Sequence, residues 1–306
     1  MTNRTRNTLK IVFMNRKGGA GKTALTILVA SELQRRGYKV LVIDCDSQHN
    51  TTDFYFYKEK QVWREKFFDG ELKESEDIDQ YPIENNITDM LYESKPAAEC
   101  IHIKPCGEII PAVLGLASAE GSIKEEGAEK LYKLKDMIEP LDGLYDFILF
   151  DVNASAIDIA TQNVLTAVDY VIPPVDCKDG VDALPQTVGF VNGYRKRGFN
   201  SDLTILGYVY SNYIERDNMT KFCLNRLERT AEALNRKIVG DYKPGVLDSK
   251  VHRTADCKKT LGVGKQIAYE KRADKAQQDI EKLVTEILKK MKTTPKGKDL
   301  VVKSGK

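Results

Sequence analysis

Three groups of residues in this 306-residue sequence have the types and spacing for phosphate chemistry. The first is Lys17-Gly18-Gly19-Ala20-Gly21-Lys22-Thr23, set between an apolar run ending at Met14 and a stretch, Thr23–Arg36, with helical apolar spacing. Glycines let the backbone curl until successive N–H groups point inward at an anion, and a helix starting at Thr23 adds the positive end of its dipole. In such a loop Lys22 reaches the β and γ phosphates and the Thr23 hydroxyl is placed to ligate Mg²⁺. Gly18, Gly19, Ala20, Gly21, Lys22 and Thr23 are therefore the candidate binding residues; the next position, Ala24, has no hydroxyl to add. The other two groups are Asp44-Cys45-Asp46 and Asp151, each at the end of an apolar run. Acidic side chains at the carboxyl ends of parallel strands sit where ligands bind in open α/β sheets.

Positioning these groups takes strands and helices in alternation. Apolar runs predict strands over Leu9–Met14, Lys39–Asp44, Glu108–Val113, Phe147–Asp151, Tyr170–Pro173 and Leu203–Tyr210. Helical periods predict Thr23–Arg36, ended by Gly37, then Ala119–Glu139, Ile157–Ala167, Val181–Arg197, Asn218–Asn235 and Ala268–Lys292. Runs such as Val40-Leu41-Val42-Ile43 are apolar on both faces, as strands covered by helices on two sides should be. The expected fold class is α/β, a doubly wound, mostly parallel sheet flanked by helices. No break separates two domains, so residues 1–292 read as a single domain with an acidic, aromatic-rich insertion near 51–99 over one sheet edge. Residues 293–306 read as a basic, flexible tail.

Composition narrows the class. Hydrophobic residues make up 42% and charged residues 30%, a soluble globular balance. No apolar run approaches the roughly 20 residues a membrane span needs. The six cysteines form no C-x-x-C pair, so zinc ribbons and redox motifs are not indicated. Net charge is only +2 but uneven. Residues 65–99 hold eleven acidic against three basic residues, and 271–306 eleven basic against five acidic, which hints at an anionic partner for the basic end.

The loop NRKGGAGKT departs from the general G-x-x-x-x-G-K-[ST] pattern, with Arg16 where the first glycine belongs, and it resembles the deviant Walker A box of the ParA/MinD ATPase family. The resemblance implies a P-loop NTPase fold, ATP and Mg²⁺ as cofactors, and a homodimer formed with ATP. It gives Lys17 a catalytic role, reaching across the dimer to the nucleotide of the other subunit, where a second cation would offset charge on the transferred phosphoryl group. Asp44 to Asn50 is similar to the family's D-x-D-P-Q-x-N switch, with Ser47 in place of proline. By that match Asp46 orients or activates the attacking water, and Asp44 supports the Mg²⁺ shell and the switch. Tyr145–Asp151 looks like a Walker B strand whose Asp151 holds Mg²⁺, though Val152-Asn153-Ala154 replaces the proline-containing turn of many relatives. The catalytic set is thus Lys17, Lys22 and Asp46, and the metal set Thr23, Asp44 and Asp151. Asn212, at the end of a strand, matches an asparagine set against adenine. The likeness covers most of residues 9–290 and is thinnest over the acidic insertion.

Members of that family differ in output. ParA-like partition ATPases bind nonspecific DNA as ATP dimers and release it when a ParB-like centromere-binding partner stimulates a slow hydrolysis. MinD-like members bind membrane through a C-terminal amphipathic helix, and metabolic enzymes share the scaffold. The stripe Ile280, Leu283, Val284, Ile287, Leu288 and Met291 would suit either a membrane surface or the core; core packing is favoured because the tail carries no sustained apolar face. No stable membrane association is expected. Arg195–Arg197, Lys250, Arg253, Lys271, Arg272, Lys275 and the tail lysines are the cations for backbone contact with DNA. With Lys17 so near the start, no helix-turn-helix domain is expected before the ATPase. The resulting expectation is a cytoplasmic, nucleoid-associated partition ATPase.

Overall fold

The computed structural model describes residues 8–73, 76, 78, 81–114, 116, 128–155, 158–253 and 275–303. Its centre is β1 (Leu9–Phe13), paired in parallel with β5 (Phe147–Asp151) on one side and β6 (Tyr170–Ile172) on the other. Beyond β5 lies β2 (Val40–Asp44), then β4 (Gly107–Ile110), both parallel, and an antiparallel edge strand β3 (His102–Lys104). On the far side β8 (Thr204–Ile205) pairs with β6.

Pro173 has no N–H to give the ladder, and the hydrogen-bonded sheet is interrupted there. It resumes as β7 (Pro174–Val175), β9 (Tyr208–Tyr213) and β10 (Val246–His252), all parallel. The Leu206 amide donates to Val171 and the Val209 amide to Pro173, so the second set of strands continues the first. β3 and β10 had no counterpart among the expected strands.

Successive strand residues point to opposite faces, and the two faces bury two separate cores. Ile11, Phe13, Val40, Val42, Phe147 and Leu149 belong to one, with α1 (Lys22–Arg35) and α9 (Lys275–Met291). Val12, Leu41, Ile43, Ile148 and Phe150 belong to the other, beneath α4 (Ile87–Tyr92), α5 (Lys133–Ile138), α6 (Ile159–Ala167), α7 (Lys178–Lys196) and α8 (Asn218–Asn235). The doubly wound class expected from the apolar runs is therefore the observed one.

Two regions differ from expectation. The stripe from Ile280 to Met291 is fully buried on α9, as core packing requires, while residues 254–274, including Lys271 and Arg272, lie outside the described set. The segment after it is no frayed tail as far as residue 303. Thr294 is hydrogen-bonded to the Tyr170 hydroxyl at 2.5 Å, Lys296 pairs with Asp169 at 2.5 Å, and the Tyr38 hydroxyl donates to the Val301 carbonyl at 2.9 Å. These polar residues find partners at the amino ends of the strands, which hydrophobic patterning cannot register. Likewise, only the end of the helix expected over Ala119–Glu139 falls among described residues, as a 3₁₀ turn and α5.

Leu283 is completely buried between α9 and the sheet. Leu283→Ala should lower unfolding free energy by about 2–5 kcal/mol in urea denaturation, the range for a core leucine that leaves a cavity. An α9 lying on a membrane surface instead would show almost no loss.

Candidate functional site

The sheet register brings the acidic residues together. Asp44 and Asp151 end adjacent strands and are directly paired across β2 and β5, both completely buried. The loop after β1 passes beside them. Gly21, at φ 87°, turns the chain into α1 from a left-handed conformation, and a Cβ there would touch Ser211 at the end of β9. The Ser211 hydroxyl donates to the Ala20 carbonyl at 2.8 Å and fixes the loop from below. Asn15 holds its start, donating to the carbonyls of Pro174 and Gly180 at 2.7 and 3.1 Å.

Lys22 is buried at the first turn of α1, its Nζ donating to the Lys17 carbonyl at 3.3 Å. Burial lowers the pKa of the ammonium, against the raising effects of Asp151, Asp46 and Asp176. Lys17 behaves differently. Its side chain is 38% exposed and its nearest acid, Asp179 of α7, is 3.7 Å away and 69% exposed. An exposed pair of this kind contributes almost nothing, so Lys17 is held only loosely and is absent from the walls of its own pocket.

Asp151 accepts from the Thr51 hydroxyl at 2.7 Å on Oδ2, while Oδ1 is buried without a hydrogen-bond partner. Burial pushes its carboxyl well above the usual range; the nearby Asp46 charge adds to this, and the Thr51 and Thr23 hydroxyls and Lys22 oppose it. An orphaned buried carboxylate oxygen beside a P-loop threonine fits a hard divalent cation. One carboxylate oxygen and one hydroxyl suit Mg²⁺, which binds through one or two protein oxygens and takes the rest from phosphate and water. Thr23 and Asp151 are the residues that would hold it.

Asp44 is bonded to the switch segment, the second of the two parts the resemblance implies for it. Its Oδ2 accepts from both the amide and the hydroxyl of Thr52, each at 2.8 Å, and its Oδ1 from the Asp46 amide at 3.1 Å. All its contacts are spent fastening the segment that follows β2, and it does not line the pocket. Burial and the neighbouring Asp151 raise its carboxyl far above the ordinary range. Thr52 in turn accepts from the Ala112 amide at 2.9 Å, tying the same segment to the end of β4. Asp46 does line the pocket and is buried. Its Oδ1 accepts from the Gln48 amide at 2.9 Å and its carbonyl from the His49 amide at 2.8 Å. Carboxylate-closed turns thus shape the Asp44–His49 segment, so Ser47 is tolerated where a proline would otherwise set φ.

The pocket measures about 800 Å³ and is walled by Gly18, Gly19, Gly21, Lys22 and Thr23, by Asp46, Gln48 and Asn50, and by Asn153 and Ala154. Its remaining wall comes from α2 (Asn50–Tyr55) and α3 (Tyr57–Phe68). Asn212 is outside these walls: it is exposed and left-handed at φ 57°, a conformation asparagine tolerates in turns. Residues that pattern reading passed over are Thr51, Thr52 and Ser211. The threonines open an apparently charged insertion, and nothing but their fold partners reveals them.

A family model described as "AAA domain" (AAA_31) matches residues 8–205, and the chain belongs to that family. It is 26% identical to the chromosome partitioning protein ParA of Myxococcus xanthus over 84% of this chain and 80% of that one. It is 27% identical to the sporulation initiation inhibitor protein Soj of Bacillus subtilis, over 68% and 74% of the two chains. Among solved structures, apo McdA from Cyanothece superposes with a TM-score of 0.69 at 19% identity, covering 93% of this chain and 99% of that one. Cobyrinic acid a,c-diamide synthase from Mycobacterium smegmatis, with bound ATP analog and magnesium, follows at 0.68 and 21%, covering 92% and 94%. At such identities the structural likeness shows the fold; with the loop and the curated relatives, it marks a ParA-like P-loop ATPase of the ParA/MinD type.

Because folding raises the Asp151 pKa, the unfolded chain ionises first as pH rises past about 4, so from there upward the buried carboxylate opposes folding. In nucleotide-free protein, Asp151→Asn should leave the melting temperature unchanged near pH 4 and raise it by a few degrees near pH 7.5. A drop at pH 7.5 would show that Asp151 is stabilising while empty.

Proposed function

We propose that the chain is a ParA-like partition ATPase whose nucleotide state sets its assembly. ATP binds in the loop with Lys22 on its phosphates, two subunits close face to face, and Lys17 of each reaches the other's nucleotide. The closed dimer holds DNA without reading sequence, and a ParB-like partner triggers hydrolysis and release. Mg²⁺ held by Thr23 and Asp151 would neutralise charge on the β and γ phosphates. Asp46, in the pocket wall, orients the attacking water. Turnover is slow because the dimer must outlast the event it times.

The observation that carries this reading is the contrast between the two lysines. Lys22 is buried and turned into its own loop, whereas Lys17 is half-exposed, weakly paired and directed to α7. A residue serving its own pocket has no reason to be left so; one serving a partner's pocket does. The names of the ParA relative and of a plasmid partition protein from Borrelia burgdorferi support the same output. DNA contact has candidates in Lys196 and Arg197, both exposed at the end of α7. Arg195 is less available, since it donates to the Leu203 carbonyl at 3.3 Å, and Lys250 lies over the Tyr213 ring. Among described residues no helix is long and apolar enough to cross a membrane.

Lys17→Ala should bind ATP within about threefold of the parent yet lose the ATP-dependent dimer in light scattering, because the missing cation acts only across the interface. Retention of a full dimer would remove Lys17 from that role. Binding to random DNA with ATP should fall at least tenfold from about 50 to about 200 mM salt. Binding to anionic liposomes without DNA binding would favour a membrane-positioning ATPase instead.

A further inference from the structure

Helix α3 turns a polar face toward the pocket. Its half-buried residues Tyr57, Lys60, Gln61 and Arg64 recur at helical spacing and form one face, and that face lines the phosphate pocket. Of its apolar residues Trp63 packs against the core, while Val62 is 59% exposed and Phe68 71%. A surface helix ordinarily buries its apolar stripe and leaves the charges in water. Here Lys60 and Arg64 line the cavity together with Lys22, and Arg64 Nε is wholly shielded from solvent.

Asp53 links this wall to the switch. It pairs with Lys60 at 2.5 Å and with His49, which begins α2, at 3.3 Å, and it accepts from the Tyr81 hydroxyl at 3.3 Å. Burial disfavours its charge, but the bonds to His49 and Lys60 prevail and hold its carboxyl below the usual range. The wall is therefore fixed to the turn that carries Asp46, not loosely draped over the opening.

We propose that Arg64, with Lys60 beside it, binds the terminal phosphoryl group of ATP from within the same subunit, so that α3 distinguishes ATP from ADP. The guanidinium is suited to this, being planar, always charged and able to give two parallel hydrogen bonds to one phosphate. The proposal rests on the loop being an ATP site, and its test separates the two. ATP and ADP affinities are measured by fluorescence anisotropy with labelled nucleotides on the full chain carrying Arg64→Ala, Arg64→Lys, Lys60→Ala, Lys22→Ala or the outer-face control Val62→Ala.

Losing a charge-assisted contact should weaken ATP binding by about 10- to 100-fold in Arg64→Ala. ADP binding should change less than about threefold, Lys60→Ala should shift in the same direction, and Arg64→Lys should recover part of the loss. Val62→Ala should match the parent. Equal losses for ATP and ADP in Arg64→Ala, or none for either, would overturn the proposal while leaving the ATP site intact. Undiminished ATP binding in Lys22→Ala would instead overturn the site itself.

Discussion

Two carboxylates that should not be neighbours set the terms for the rest of this molecule. The parallel register places Asp44 directly opposite Asp151, both without solvent. Buried like charges raise each other's pKa and cost stability unless hydrogen bonds or cations offset them. The chain offsets the two differently. Asp44 receives three donors from the segment it precedes and becomes a fastening point. Asp151 receives one threonine on one oxygen and keeps the other unpartnered. The pair is consistent with a site completed by a cation: one carboxylate is saturated by protein and the other is left for a ligand.

That division also explains why the phosphate loop and the switch segment act together. Thr51 bonds Asp151 and Thr52 bonds Asp44, so two consecutive residues in the first turn of α2 bridge both acids. Anything that draws Asp151 toward a metal pulls on Thr51, and through it on the turn carrying Asp46. The loop itself is fixed by Ser211 and Asn15 and does not have to move. A loop held by Ser211 and Asn15 thus lies beside a turn clasped by the Asp46 carboxylate.

How much of this was legible in the sequence depends on the kind of signal. The strands around β1 and the helix after Gly21 announce themselves, because apolar runs and Gly-Lys-Thr are short-range patterns. Asp151 was found because it ends an apolar strand. Asp44 was found for the same reason, but position at a strand end does not reveal that its hydrogen bonds go to Asp46 and Thr52. Thr51, Thr52 and Ser211 were invisible: each has a partner far along the chain, Asp151 at 100 residues for Thr51, Ala112 at 60 for Thr52 and Ala20 at 191 for Ser211. The edge strand β3 and α3 were hidden by charge, because a helix that turns a polar face toward a pocket contradicts the rule by which amphipathic helices are recognised.

The departures from the family pattern then become intelligible as local substitutions of one turn chemistry for another. Where a proline would fix φ, Ser47 stands between two carboxylate-closed turns, one accepting the Asp46 amide and the other the Gln48 amide. After Asp151, Asn153 closes its own turn by accepting from the Ser155 amide at 2.5 Å. Both replacements use side-chain oxygens that hold the backbone only while their geometry persists, whereas a proline ring holds φ unconditionally. The two turns bordering the phosphate pocket are therefore the most readily rearranged parts of a site whose floor, from Asn15 through Gly21, is rigid. The turns that depart from the family pattern are thus held by side chains, while the loop is held by Asn15 and Ser211.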